Sequence, residues 1–525
     1  GAVNPIVLHH LLKRTLSAIP HKATRGRNEP PRQDSHTTHS WDGKTVLSGM
    51  QAEKAALYTG ATSILGANVW TIRRRRKCLY QPAEQAETQS SLPPKEADIL
   101  RNDSSLLRNS FPVAVLLDPL LSTHCELTIP RPCISLSPAV HHILGDHIHR
   151  RALADEYFRT VHRWIPIISR TRLYGSLMDP SHHTDPDVAI VLLGIKLITS
   201  RPKNYSLSSE LYTLVKETLL HAEMMGYVSI HTIQSAILTA VYEIGHAIYP
   251  AALTTISSCA RHAVSLGITQ AYPVQGSRWI EQEERNRIWW AILMLDRTTN
   301  MPLNGNHLCT PDPDSESILP VDDDDWDRGV LSIDIYRTLS SPPTLKTGRF
   351  ARLAQAINLL SQVLRQIPNK EDKMQLTPSD MMPLDRTLFA LERLIEIEEA
   401  QRGMIFCCGI AICYNALLLI HTVVLANSLK SSPKESQDTS YLSLQATLAN
   451  TLRNAQRFRS GEWGTLDDTS PFVLEWIYRS VTSLMSLGPE ADFCDTNQGI
   501  NSLRAILEVI GERWRAASEF FLPVQ

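Results

Sequence analysis

Residues 208–226 read SSELYTLVKETLLHAEMMG, and their apolar positions Leu211, Leu214, Val215, Leu219, Ala222 and Met225 recur at the three- and four-residue spacing of one helical face. Gly226 follows, where a helix that ends in a left-handed residue favours the absence of a Cβ. The next segment repeats the signature. Ser229 can cap a helix whose face is Ile230, Ile233, Ile237, Val241, Ile244 and Ile248, closed by Pro250. A third face carries Leu253, Ile256, Ala260, Ala263 and Val264 before Gly267. Three helices joined by connections this short predict an antiparallel array.

The same period extends in both directions from this array. It recurs in 279–300, 350–367, 384–400, 441–458, 471–487 and 500–520, and Ser470 before Pro471 predicts an N-cap with Pro at the first helical position. Strict alternation over six or more residues is lacking, so no sheet is expected. Upstream the texture changes. Residues 20–50 and 81–110 are polar and interrupted by breakers such as Pro30, Pro31, Pro93 and Pro94, so they predict disorder and no coiled coil. The expected organisation is an all-α, multi-helix regulatory body behind a largely disordered basic arm. Its parts are a low-structure arm over 1–70, a basic segment over 71–80, a linker over 81–135, a helical domain over 136–430 and a C-terminal helical part of the same body over 431–525.

Composition narrows the class. The 525 residues carry 52 Lys+Arg against 54 Asp+Glu, a net charge of -2 that hides a strong asymmetry. The first 80 residues hold 13 basic and 4 acidic side chains, so the remainder is net acidic. A basic arm ahead of an acidic body suits a polyanionic partner for the arm alone. Nine scattered cysteines are too sparse for a secreted disulfide framework and predict a reducing compartment. Residues 403–429 contain no Asp, Glu, Lys or Arg and are long enough to cross a bilayer, yet Asn415, His421, Thr422 and Asn427 interrupt them, so a buried core helix and no membrane are expected.

Catalytic and metal signatures fail on spacing. Gly43, Lys44 and Thr45 imitate the end of a phosphate loop, but Thr38 stands where its first Gly belongs. Neither a Gly-x-Ser-x-Gly elbow nor a His-Glu-x-x-His pair occurs. His142, Asp146 and His149 would share one helical face, but without a further ligand they read as surface histidines. Asp312, Asp314, Glu316 and Asp323 imitate a calcium loop with Ser317 in place of its Gly, so Asp322 to Asp325 read as a solvated loop or an acidic helix start. Cys407, Cys408 and Cys413 read as core thiols. The sharpest local feature is the run Arg73, Arg74, Arg75, Arg76, Lys77, five cations able to neutralise phosphates or to serve as a nuclear import signal.

Several separated segments of the body resemble the fungal-specific transcription factor domain, the all-helical regulatory region of fungal zinc binuclear cluster activators. Tyr157, Phe158, His162, Trp164 and Pro166 look like its opening segment. Glu284, Arg287, Trp289, Trp290, Asp296 and Arg297 look like its most recognisable helix. Leu319, Pro320, Asp322 to Asp325 and Trp326 resemble the stretch that follows, and Tyr414 to His421 a later helix. Physical reading makes Arg287, Trp289, Trp290, Asp296 and Arg297 a structural motif: Trp289 and Trp290 point about 100° apart, and a buried Asp296 needs a partner.

The resemblance implies a six-cysteine cluster that holds two Zn2+ near the N-terminus and places a short helix in the DNA major groove. Cys78, Leu79 and Tyr80 look like the end of such a cluster, but no cysteine precedes Cys78 and one thiolate cannot hold two zinc ions. The expectation is either a truncated or mis-spliced N-terminus, which the opening without Met favours, or a member that has lost its cluster. The resemblance further implies a nuclear regulator of RNA polymerase II genes, metabolic ones among them, with DNA, the transcription machinery, a second copy of the chain and a small-molecule effector as partners. The rival expectation is a cluster-less helical regulator that binds partners or an effector and not DNA.

Overall fold

The structure is a computed structural model that describes residues 132–520 apart from 180–184, 202–208, 270–278, 302–306, 331–335, 343–346, 368–377, 403–407, 432–433, 463–464 and 488–495. The arm, with Arg73 to Lys77 and Cys78, and the thiol of Cys407 therefore lie outside the described residues. The described fold is all-α, as the period requires. Its β content is one isolated antiparallel bridge, Ile318 to Thr338.

Helix starts follow local chemistry. Ser137 caps α1 (Pro138–Leu144), Asp146 caps α2 (His147–Arg159), and Ser169 caps α3 (Arg170–Met178), each side chain accepting a hydrogen bond from an amide of the first turn. Asp185 does the same for α4 (Pro186–Thr199) and Ser209 for α5 (Glu210–Met224). In α6 (Ile230–Gly245), Ser229 and Thr232 form a reciprocal capping box. There follow α7 (Tyr249–Ser265), α8 (Trp279–Asn300), α9 (Asp323–Arg328), α10 (Arg349–Gln366), α11 (Pro378–Arg402), α12 (Cys408–Ser431), α13 (Lys434–Arg459), α14 (Val473–Leu487), α15 (Thr496–Gly511) and α16 (Ala516–Glu519).

The core runs through the whole array. Helix α6 packs on α4 and α7, while α12 packs on α10, α11, α13 and α14. The most apolar helices are accordingly central. Residues 408–425 of α12 have a mean hydropathy of 2.0, sufficient in length and character for a bilayer, but 83% of them are buried inside the protein, where a helix apolar all round belongs. Close approach of α4 and α6 depends on Gly194, because a Cβ there would lie 2.6 Å from Ser235 Oγ and 2.8 Å from Ser235 Cα.

Several expectations need correction. Gly145, at φ 64°, ends α1 between His142 and Asp146, so His142 and His149 stand on different helices and Asp146 is a cap that accepts from the backbone and ring of His149. Helix α6 stops at Gly245, and Pro250 opens α7 where its missing N–H costs nothing. Met225, Leu253 and Val264 point to solvent at the margins of their apolar faces. Ser470 caps a turn at Phe472 rather than a helix beginning at Pro471, and α14 starts at Val473. The 500–520 segment breaks after Gly511 into α15 and α16. The break lets Arg513 turn inward and donate to the carbonyls of Ile198 (2.5 Å) and Ser200 (3.0 Å) at the C-terminal end of α4.

Candidate functional site

Three of the family-like segments named above, the first more than a hundred residues ahead of the other two, converge on one buried guanidinium. Arg287 projects from the middle of α8 with no exposed surface. Its Nε donates to Glu283 Oε1 at 2.7 Å, one helical turn back, and its Nη1 donates to Asp323 Oδ1 at 2.8 Å. Nη1 also reaches the Pro166 carbonyl (3.3 Å) and Nη2 the Val321 carbonyl (2.8 Å). The Trp326 ring lies under the guanidinium, 4.1 Å from its central carbon. Each segment therefore supplies an acceptor or a face to the same cation.

The two carboxylates respond differently. Burial raises the Glu283 carboxyl despite Arg287 beside it. Burial would raise Asp323 too, but the charges of Arg287 and Arg349 outweigh it and hold that carboxyl below its ordinary value. The reading of Asp322 to Asp325 as solvated is corrected here. Asp322 caps α9, as an acidic helix start should, whereas Asp323 is buried and also accepts from the Phe350 amide at 3.2 Å. His162, from the opening segment, meets the same short helix through Asp327 at 2.9 Å.

A second node sits three turns along α8. Arg297 donates to Asp296 Oδ2 (2.7 Å), to Ser361 Oγ on α10 (3.0 Å) and to the Pro311 carbonyl (2.9 Å). Asp296 accepts from the Thr310 amide (3.0 Å) and hydroxyl (2.5 Å) and from the Cys309 amide (3.1 Å). Asp312, one of the supposed calcium ligands, is taken up by Arg297 at 3.1 Å and Arg365 at 3.1 Å. Trp289 and Trp290 are both buried, and Trp290 Nε1 donates to the Ile318 carbonyl at 2.9 Å.

Other buried pairs escaped the sequence reading. Glu284 accepts from the Ser169 amide (2.8 Å) and Gln234 (2.8 Å) and pairs with Arg172. Arg352 of α10 grips Glu398 of α11 through two bonds of 2.9 Å. Glu283 lies one helical turn from Arg287, whereas Glu284 and Arg352 find their partners far along the chain.

These constellations hold the body together and leave no activated nucleophile among them. Burial pushes the Cys259 and Cys413 thiols well above their ordinary value and Cys408 up to about 12. Among the described residues no three His, Cys, Asp or Glu side chains are grouped to hold a metal.

Residues 154–402, from within α2 to the end of α11, match the fungal specific transcription factor domain family. The chain is 36% identical over 137 residues to a protein named transcription factor BOA15 of Botryotinia fuckeliana, a match covering 25% of this chain and 76% of that protein. It is 24% identical over 228 residues to an uncharacterized transcriptional regulatory protein, C530.05, of Schizosaccharomyces pombe, covering 41% of this chain and 28% of the relative. No solved structure is a significant match.

Proposed function

The chain belongs to the fungal specific transcription factor domain family, and from that premise we propose that it is a nuclear regulator of RNA polymerase II transcription whose basic arm engages DNA while the helical body sets the output. The observation that carries this reading is the family match over 154–402 together with two relatives named as regulators of transcription. The run Arg73 to Lys77 supports contact with the phosphate backbone or nuclear import, and Cys78, Leu79 and Tyr80 resemble the end of a zinc cluster although no cysteine precedes them in this sequence. Metabolic genes are the proposed targets, and the transcription machinery, a second copy of the chain and a small effector the proposed partners.

The body contributes rigidity in this mechanism. Buried Arg287 and Arg297 fix α8 to the loops and helices around it, so a signal received on one side of the array can reach the other through packed elements. Chromatin immunoprecipitation of the tagged chain in its own cells tests the proposal. Enrichment at a limited set of promoters is expected, and it should collapse when Arg73 to Lys77 are changed to Ala. Nuclear protein with no promoter enrichment would favour the second reading, a cluster-less regulator that binds partners or an effector. The absence of any cysteine before Cys78 is the observation on the side of that reading.

A further inference from the structure

A cavity of about 490 Å³ opens where the C-terminal ends of α6 and α8 and the Thr422 turn of α12 meet α14 and Phe520. Its size falls in the range of small-molecule sites. Thr298 and Thr299 of α8 face Phe472, Tyr478 and Thr482 across it. We infer that this cavity binds an uncharged, largely apolar small molecule that carries a carbonyl or hydroxyl group.

The threonines are less polar toward the cavity than their names suggest. Thr298 donates to the Met294 carbonyl (2.8 Å), Thr299 to Leu295 (2.7 Å), Thr422 to Leu418 (2.6 Å) and Thr482 to Arg479 (3.0 Å). Each hydroxyl proton is thus spent on its own helix, as is usual for helical threonines. With Phe472 and the Tyr478–Phe520 ring pair, whose centroids lie 5.0 Å apart, they make a wall that favours apolar ligand surface.

Beside the hydroxyls of Tyr249 and Tyr478, the charged groups of the lining are one ion pair. Arg479 points Nε (2.9 Å) and Nη2 (2.7 Å) at a single oxygen of Glu475, Oε1. That leaves Glu475 Oε2 as an acceptor and Arg479 Nη1 as a donor, with no hydrogen bond to either among the described residues. The pair is neutral in sum, so a charged ligand would lose its hydration without a counter-charge. A neutral molecule with one hydrogen-bonding group matches both the wall and the pair.

Position gives the site a consequence. Thr298 and Thr299 directly follow the Asp296 and Arg297 node, whereas Phe472 to Thr482 lie beyond the residues that match the family. A bound molecule would pin the C-terminal helices to the family body. This deepens the effector part of the function proposed above and rests on it for its regulatory meaning, while binding itself is independent of DNA.

The test titrates the full chain with Nile red, an uncharged apolar dye that carries a carbonyl. A saturable rise in emission with one site per chain is expected. Thr482→Trp and Thr299→Trp, which fill the cavity, should weaken binding tenfold or more without lowering the melting temperature. Leu442→Ser, on the exposed face of α13, should leave the affinity unchanged. On the unaltered chain, saturating dye should slow amide exchange at the end of α8 and along α14, a readout that decides the matter if the filling variants fail to fold. Non-saturating emission, equal affinity in folded filling variants, or protection elsewhere in the chain would overturn the assignment. Saturable binding in a chain that fails to bind DNA removes the DNA reading and leaves this site standing; the reverse pair of results removes the site alone.

Discussion

Arg287 concentrates polar energetics at one point of the fold, because one fully buried cation satisfies two buried carboxylates and two backbone carbonyls. Such a pair does not by itself outweigh its own desolvation, but breaking it is costly. Arg287→Met should therefore destabilise the chain by about 3–5 kcal/mol in urea denaturation, since Glu283 would lose its cation and Asp323 the nearer of its two. Adding Glu283→Gln and Asp323→Asn should recover much of that loss; no recovery would mean that the arginine acts through packing alone. His246 supplies a different prediction. Its ring is buried against Tyr242 and Trp514, neither nitrogen has a hydrogen-bond partner among the described residues, and burial, reinforced by Arg513 and Arg515, lowers its pKa from 6.5 to about 3. The unfolded chain takes up a proton below about pH 6.5 that the folded chain refuses, so stability falls as pH drops from there toward 3. At pH 5 the loss from this group is about 2 kcal/mol relative to pH 7. His246→Phe should flatten that part of the stability profile, and an unchanged profile would show that the ring protonates freely in the fold.

At the scale of helices, the close crossing of α4 and α6 is the most sensitive joint. Gly194→Ala would push a methyl against the backbone of Ser235, so a loss of about 1–3 kcal/mol is expected by thermal unfolding. A variant as stable as the parent would show that the two helices can separate without cost. The existence of most helices was legible in the sequence because burial imposes its period on one face, and Ser229, Gly226 and Gly267 marked their ends. Two boundaries were misread for a common physical reason. Pro250 and Pro471 are each compatible with a helix end, a helix start or a preceding turn, and tertiary packing decides among these. The polar nodes were less legible still. Asp323 looked like one of four exposed acids, and nothing local distinguishes it; what buries it is an arginine on a helix 36 positions earlier. The cavity was invisible for the same reason, being assembled from helices far apart in the chain that no periodicity connects.

Across the whole molecule the charge asymmetry is the feature on which the proposed function rests. A near-neutral total conceals 13 basic residues among the first 80, and five of them are consecutive. In the described body the buried Arg287, Arg297 and Arg352 turn inward onto carboxylates and hold its elements together. Division of labour between a DNA-engaging arm and a regulatory helical body is the central claim. Equilibrium binding of the full chain to duplex DNA across a series of salt concentrations tests it most directly. The account predicts that log K falls linearly with log salt, at about 0.9 per neutralised phosphate, and that replacing Arg73 to Lys77 by Ala flattens the slope by roughly 4 to 5. A chain with no measurable affinity at low salt, or a slope unmoved by removing the five cations, would contradict it.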